Sequence, residues 1–152
     1  MKNILSWTTF NENSDYQILP IEISDKIEVL NICAESLKHV DNPERIKQYL
    51  GRATEWDISK KCVFNGKIIG AYLLNHFPVY KMLEDCERLF SEKKIPYFSS
   101  ENYQKYRNLR GIHGLALVVD PAYQKTGAGK KLRDVPLTMG YDYIWGYAFR
   151  DS

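Results

Sequence analysis

Apolar positions along the chain follow two rhythms, one of period two and one of helical period. After a loose start, residues 16–21 (Tyr-Gln-Ile-Leu-Pro-Ile) are a short apolar-rich run that predicts a first strand. Pro20, which cannot donate to a ladder, suggests an edge position for it. Ile27, Leu30, Ala34 and Leu37 then recur at helical spacing. Ser24 or Asp25 caps this helix, Glu28 is placed to complete a capping box with Asp25, and the pattern ends near Val40. Asn42-Pro43-Glu44 reads as N-cap, first-turn proline and first-turn acid of a second helix, in which Ile46, Tyr49 and Leu50 precede a stop at Gly51. Residues 61–64 and 68–74 are apolar strands joined by Asn65-Gly66, a two-residue hairpin signal because both residues tolerate positive φ. Pro78 opens a third helix with Val79, Met82, Leu83, Cys86, Leu89 and Phe90 on one face and Glu84, Asp85, Glu87 and Arg88 elsewhere. A face of that kind reads as packed core rather than as ligand contact.

From 91 to 110 the chain is polar, Tyr-rich and without a sustained period, which predicts a long connection. Connections of this length are either lids and binding segments or linkers. Residues 111–119 predict a strand, and a helix follows up to Pro136, which ends or kinks it. Residues 141–149 predict a last strand with Tyr141, Tyr143, Trp145, Tyr147 and Phe149 on one face. The order of strand, two helices, hairpin, helix, strand, helix and strand, without repeats, indicates a mixed α/β domain.

Composition narrows the partners more than the fold. The chain's 152 residues suit one domain, and 21 basic against 19 acidic side chains leave a formal charge of +2, too little to point to a nucleic-acid backbone. Cys33, Cys62 and Cys86 fit no zinc or redox spacing, so the expectation is reduced thiols and no metal. No stretch approaches the ~20 apolar residues that span a bilayer, and the N-terminus has no signal-peptide core. The expectation is a cytoplasmic protein without a membrane partner.

The chemistry concentrates in residues 115–132, where an apolar strand runs through Pro121 into a loop with Gln124, Gly127 and Gly129, and then into a basic segment. Glycine lets backbone amides approach a ligand, and a helix start presents unpaired N–H groups, so this is a place for an anion. A nucleoside-triphosphate loop would need a glycine where Gln124 stands and Ser or Thr where Lys131 stands. A dinucleotide fingerprint would need a third glycine at Leu132.

Residues 124–129, Gln-Lys-Thr-Gly-Ala-Gly, match in full the pyrophosphate loop of the GCN5-related N-acetyltransferases (GNAT), which is Arg or Gln, any two residues, Gly, any residue, Gly or Ala. A Leu-x-Val-x-Pro lead-in at Leu117, Val119 and Pro121 and an apolar helix residue at Leu132 match as well. The chain therefore resembles that family. The resemblance implies an α/β fold with a mixed, mostly antiparallel sheet, splayed central parallel strands and flanking helices. It implies a single domain over 1–152, with 76–110 inserted between strands and a short C-terminal end that lacks the family's usual last helix and strands. It also implies acetyl-CoA as co-substrate, its pyrophosphate on Gln124, Lys125, Thr126, Gly127, Ala128, Gly129 and Lys130, and its pantetheine arm along Leu117, Val118 and Val119. Lys131 could add charge beside Lys125 and Lys130.

Acetyl transfer to a primary amine needs a base, a polarised carbonyl and a proton for the leaving thiolate. A backbone N–H near Val118 or Val119 can serve the carbonyl. Some family members carry a carboxylate six residues before the lead-in valine, and here that position is His113, whose ordinary pKa near 6.5 suits a base. A strand-end histidine can equally be hydrogen-bonded and inert. The family's tyrosine acid has no counterpart, and Tyr141, Tyr143 or Tyr147 would be substitutes. Tyr97, Tyr103 and Tyr106 are candidate lining for the acceptor, an amine on a small molecule or a protein. The alternative activity is a non-catalytic domain of this fold that binds CoA or a protein. The 141–149 edge would then suit a second copy or a completing chain.

Overall fold

The computed structural model of the chain describes residues 15–92 and 106–146. Five strands form one sheet in chain order: β1 (Gln17–Pro20), β2 (Lys60–Phe64), β3 (Lys67–Asn75), β4 (Gly111–Val119) and β5 (Tyr143–Gly146). β1 to β4 are antiparallel neighbours, and β4 pairs with β5 in parallel. Helices α1 (Lys26–Ser36) and α2 (Pro43–Ala53) connect β1 to β2, α3 (Val79–Glu92) follows β3, and α4 (Ala128–Arg133) lies between β4 and β5. The architecture is mixed α/β, as the sequence predicts. Strand residues 147–149 and the side chains of Cys86, Leu89 and Phe90 lie outside the described residues.

Several local signals act as their chemistry requires. Asn42 accepts a hydrogen bond from the Glu44 N–H at 2.9 Å and Pro43 begins α2. Asn65 and Gly66 take φ of 50° and 76° in the β2–β3 turn. Others differ. α2 runs past Gly51 to Ala53, because a helical glycine costs only about 1 kcal/mol while Leu50, beside it, is buried. α1 ends at Ser36 and buries Val29, Cys33 and Ala34, which leaves Ile27 75% exposed. Apolar residues lie on more than one side of this helix, so spacing alone did not choose its buried face. The expected Asp25–Glu28 box is absent. The Asp25 carboxylate instead accepts from the Glu22 N–H at 2.8 Å and from Lys61 Nζ at 2.5 Å, which ties the turn before α1 to β2.

The sheet is covered on both faces. On one, Val29, Cys33, Ala34, Ile46 and Leu50 of α1 and α2 pack against Val63, Ala71, Leu73, Ala116 and Val118. On the other, Ala128 and Leu132 of α4 pack against Cys62, Ile69, Tyr72, Leu74 and Ile112. Cys33 and Cys62 are buried free thiols, and desolvation pushes Cys33 up to about 12.

Two bulges set which residue faces which side. Between β3 and β4 the register passes from Leu73↔Ala116 to Leu74↔Gly114, so Leu115 is the extra residue. Leu115 and Ala116 both join the α1–α2 side, and the alternation of β4 changes phase across them. Between β2 and β3 the register passes from Cys62↔Gly70 to Val63↔Ile68. A Cβ on Gly70 would lie 2.6 Å from the Val118 carbonyl oxygen and 3.2 Å from Leu132 Cδ1, so only glycine fits there. Gly70→Ala should therefore destabilise the fold by about 1–3 kcal/mol, the usual cost of overpacking. Gly51→Ala, whose Cβ would make an ordinary 3.8 Å contact with Leu30, should stabilise it by about 0.5–1 kcal/mol. Urea midpoints of the two variants, compared with wild type, check both signs.

Candidate functional site

The glycine loop is shaped by its own backbone. Asp120 bonds through its N–H to the Ile69 carbonyl at 2.7 Å, and its carboxylate accepts from the Ala122 N–H at 2.9 Å, starting a 3₁₀ turn at Pro121–Tyr123. The Gln124 side chain donates back to the Val119 carbonyl at 3.1 Å, and the Thr126 hydroxyl donates to the Tyr123 carbonyl at 2.5 Å. Lys125 and Gly127 both adopt positive φ, 64° and 99°, so the backbone curls sharply between β4 and α4. α4 then begins at Ala128, anchored by the fully buried Ala128 and Leu132.

The Lys131 N–H bonds back to the Gly127 carbonyl at 3.0 Å. The N–H groups of Lys125 and of residues 127–130 have no acceptor among the described residues, whereas the hydrogen-bonded turn at Gln124–Lys125 takes up that of Thr126. Lys125 and Lys130 are exposed beside them. Lys131 is exposed as well, but its ammonium donates to the Tyr16 carbonyl at 2.7 Å and joins α4 to the start of β1. α4 and the loop thus form a short basic cap over the C-terminal end of β4.

β4 also has an open side. Its ladder with β5 covers Gly111↔Tyr143, Ile112↔Ile144, His113↔Trp145 and Gly114↔Gly146. Beyond Gly114, residues 115–119 have no strand partner on the β5 side among the described residues. Leu117 on this stretch is 42% exposed, Val118 is buried on the α1–α2 face, and Val119 packs at the edge of the α4 core. Unpaired strand groups therefore adjoin unpaired loop amides. Over Gly114, where the ladder opens, lies the Tyr72 phenol: a Cβ on Gly114 would meet it at 2.7 Å. Burial raises the Tyr72 pKa above its ordinary value, so this phenol keeps its proton.

His113 sits at the closed end of the same strand, on the α1–α2 face, and is 6% exposed. Its Nδ1 lies 3.1 Å from Asn75 Oδ1, and its ring stacks on Trp145 at 3.9 Å with 11° between planes. Desolvation lowers its pKa below the ordinary 6.5, so it is neutral at neutral pH.

The tyrosines divide. The Tyr141 hydroxyl bonds to His76 Nε2, whose Nδ1 meets Glu55 Oε2 at 2.6 Å, forming a carboxylate–imidazole–phenol chain that sequence reading missed. Burial raises the Glu55 pKa, but hydrogen bonds from the His76 N–H and ring, together with the ring's charge, outweigh it and hold it low. With Arg110, Gly111, Pro78 and Met139, His76 and Tyr141 line a pocket of about 380 Å³. The Tyr143 hydroxyl accepts from the Val79 N–H at 3.3 Å. Tyr141 and Tyr143 therefore stand at the Gly111 end of β4, about 20 Å along the strand from Leu117, and neither reaches the open stretch. Tyr106 packs edge-on against Tyr143, centroids 5.3 Å apart, on the sheet face that also holds His113. Tyr97, Tyr103 and Tyr147 lie outside the described residues.

No family model and no curated protein sequence matches the chain. Solved structures do. The ribosomal-protein-alanine N-acetyltransferase of Brucella melitensis biovar Abortus 2308 superposes with a TM-score of 0.59 at 15% identity, covering 90% of this chain and 82% of that one. N-acetylglutamate synthase of Neisseria gonorrhoeae, in complex with coenzyme A and N-acetyl-glutamate, gives 0.57 at 11%, covering 89% of this chain and 26% of its own. Arabidopsis thaliana Naa50, in complex with a bisubstrate analogue, gives 0.53 at 13%, covering 91% and 75%. At such identities the likeness is one of fold. The residues that resemble the family's loop stand, in that fold, between β4 and α4, and the chain has the fold of the GCN5-related N-acetyltransferases.

Proposed function

We propose that the protein is an N-acetyltransferase that moves an acetyl group from acetyl-CoA to a primary amine by direct attack in a ternary complex. The observation that carries this reading is the junction of the amides of Lys125 and of residues 127–130 with the β4 edge over residues 115–119, both unpaired among the described residues. The loop suits a pyrophosphate: it curls at two positive-φ residues into the start of a helix, Lys125 and Lys130 add positive charge, and no carboxylate of the loop itself opposes them. The open edge suits a pantetheine arm, whose amides can complete backbone pairing along Leu117, Val118 and Val119. Gln124 and Thr126 act from within, pinning the loop to the Val119 and Tyr123 carbonyls, and Ala128 contributes its backbone N–H.

His113 is the base in this reading. As the amine nitrogen bonds to the thioester carbonyl carbon, neutral His113 takes the amine's proton through intervening water, and a backbone N–H of the open β4 edge faces the carbonyl oxygen. The C–S bond then breaks, and the phenol at the opening, Tyr72, returns a proton to the leaving sulfur. Tyr106, on the same face as His113, lines the acceptor side, and Tyr97 and Tyr103 of the 76–110 segment are proposed for the same role in a single domain.

Calorimetric titration with acetyl-CoA tests the binding half. Saturable binding is expected in wild type, and Gly127→Asp should weaken it by at least tenfold, because the variant forces a side chain into positive φ and places a carboxylate where phosphate belongs. No binding in wild type, or equal binding in the variant, removes the reading. CoA binding without release of CoA over a panel of amines would support the non-catalytic alternative.

Turnover tests the base. His113→Ala should lower kcat by about 10²–10⁴. In wild type the neutral, active imidazole prevails above its pKa, so kcat should fall only as pH drops through a midpoint below 6.5. The variant should lack that acid limb, and an unchanged pH profile would end the candidacy of His113. Tyr72→Phe should reduce kcat with acetyl-CoA affinity unchanged, and full activity in this variant would exclude Tyr72 as the acid.

A further inference from the structure

We infer that Asn75 fixes the tautomer of His113, holding the ring proton on Nδ1 and leaving the lone pair on Nε2. The inference deepens the reading of His113 as base, but its argument is geometric and needs no bound substrate.

Asn75 is the last residue of β3 and stands opposite His113 in the β3–β4 ladder. The two ends of its side-chain amide are told apart by backbone partners. Nδ2 donates to the Ala53 carbonyl at 3.0 Å, and Oδ1 accepts from the Phe77 N–H at 3.0 Å. Rotating the amide by half a turn would set NH₂ against N–H and C=O against C=O, losing both bonds and leaving like dipoles in contact. With this orientation fixed, the atom 3.1 Å from His113 Nδ1 is a carbonyl oxygen, which only accepts. Nδ1 must therefore be the donor, and in a neutral imidazole the lone pair then belongs to Nε2.

The ring plane is held by a second device anchored on the same residue, Phe77. Trp145 stacks on the imidazole, and its Nε1 donates to the Phe77 carbonyl at 2.8 Å. Phe77 thus uses its N–H to set the Asn75 amide and its C=O to set the Trp145 indole. Asn75, Phe77 and Trp145, which meet His113 from β3, from the following turn and from β5, are neutral. The nearby carboxylate of Glu55 is bonded to the ring of His76 and to its N–H. A neutral acceptor orients the base without holding it charged. Asn75 is accordingly a positioning residue, acting through His113.

The test is the ¹⁵N imidazole spectrum of the labelled full chain, read without acetyl-CoA or acceptor. In wild type above the titration midpoint, Nδ1 of His113 should appear protonated and Nε2 unprotonated. Asn75→Asp keeps an acceptor of the same shape but adds a charge. It should preserve the tautomer and raise the His113 midpoint by about 1–3 units, the effect of an opposite charge at contact distance. Asn75→Leu removes the acceptor and should shift population toward the Nε2–H form. An Nε2–H tautomer in wild type overturns the inference, as does an unmoved midpoint in Asn75→Asp, which decides the matter even if Asn75→Leu does not fold. If these spectra come out as expected while His113→Ala retains full turnover, the base reading falls and the tautomer assignment stands.

Discussion

β4 has to satisfy two neighbours that run in opposite senses, and among the described residues it is shared with β5 over four. Against β3 it is paired along most of its length, whereas toward β5 the described ladder ends at Gly114↔Gly146. At that last rung the strands come very close: a Cβ on Gly146 would lie 2.9 Å from the Gly114 carbonyl oxygen. The next residue, Leu115, is the bulge, which bends the strand and shifts its alternation. Above this point the described residues leave β4 without a partner on the β5 side, and below it β4 is clamped on both sides. An edge at the centre of a sheet is normally a liability, and here it coincides with a loop of unpaired amides.

The clamped half holds the imidazole, and the open half leads to the loop. The two chemistries also belong to opposite faces, since α4 packs its Leu132 beneath the sheet while His113 points to the side covered by α1 and α2. A molecule lying along the open edge would thus be held by backbone at one end and would meet the His113 imidazole around the strand at the other. Both ends are preorganised by groups that have no further freedom. Fully buried Ala128 and Leu132 set the loop's exit, and Asn75 and Trp145 set the ring.

Much of this was legible locally and little of it over long range. The Asn65-Gly66 hairpin, the Asn42-Pro43 helix start and the glycine loop are written in consecutive residues, because a positive φ, a cap and an amide cradle are each short-range demands. Ile27 misled because α1 carries apolar residues around more than one side, and the tie from Asp25 to Lys61 helps fix how the chain enters the helix. The bulge at Leu115 could not be read from an unbroken apolar run, which looks the same in either phase. The partners of His113 were beyond reach for another reason. Asn75 and Trp145 lie 38 residues before it and 32 after it, and only the strand registers bring them together. The same holds for Glu55, His76 and Tyr141, and for the Tyr72 phenol, which nothing in its neighbourhood marks as more than core.

Two histidines near the end of β3 show how environment divides one side chain into two uses. His76 is about half exposed and faces a carboxylate, whereas His113 is buried and faces an amide. The reverse arrangement would bury an ion pair, whose desolvation its mutual attraction often fails to repay, and would leave a neutral ring at the surface with little to orient it. As arranged, the charged partner goes where water shares the cost, and with Tyr141 it becomes a strut between the turn after β3 and the approach to β5. That strut braces the end of the sheet at which β4 and β5 begin to pair, so the ladder carrying His113 and Trp145 starts from a fixed point. The buried ring, facing a neutral acceptor, keeps its lone pair at the pH where an amine can be acylated.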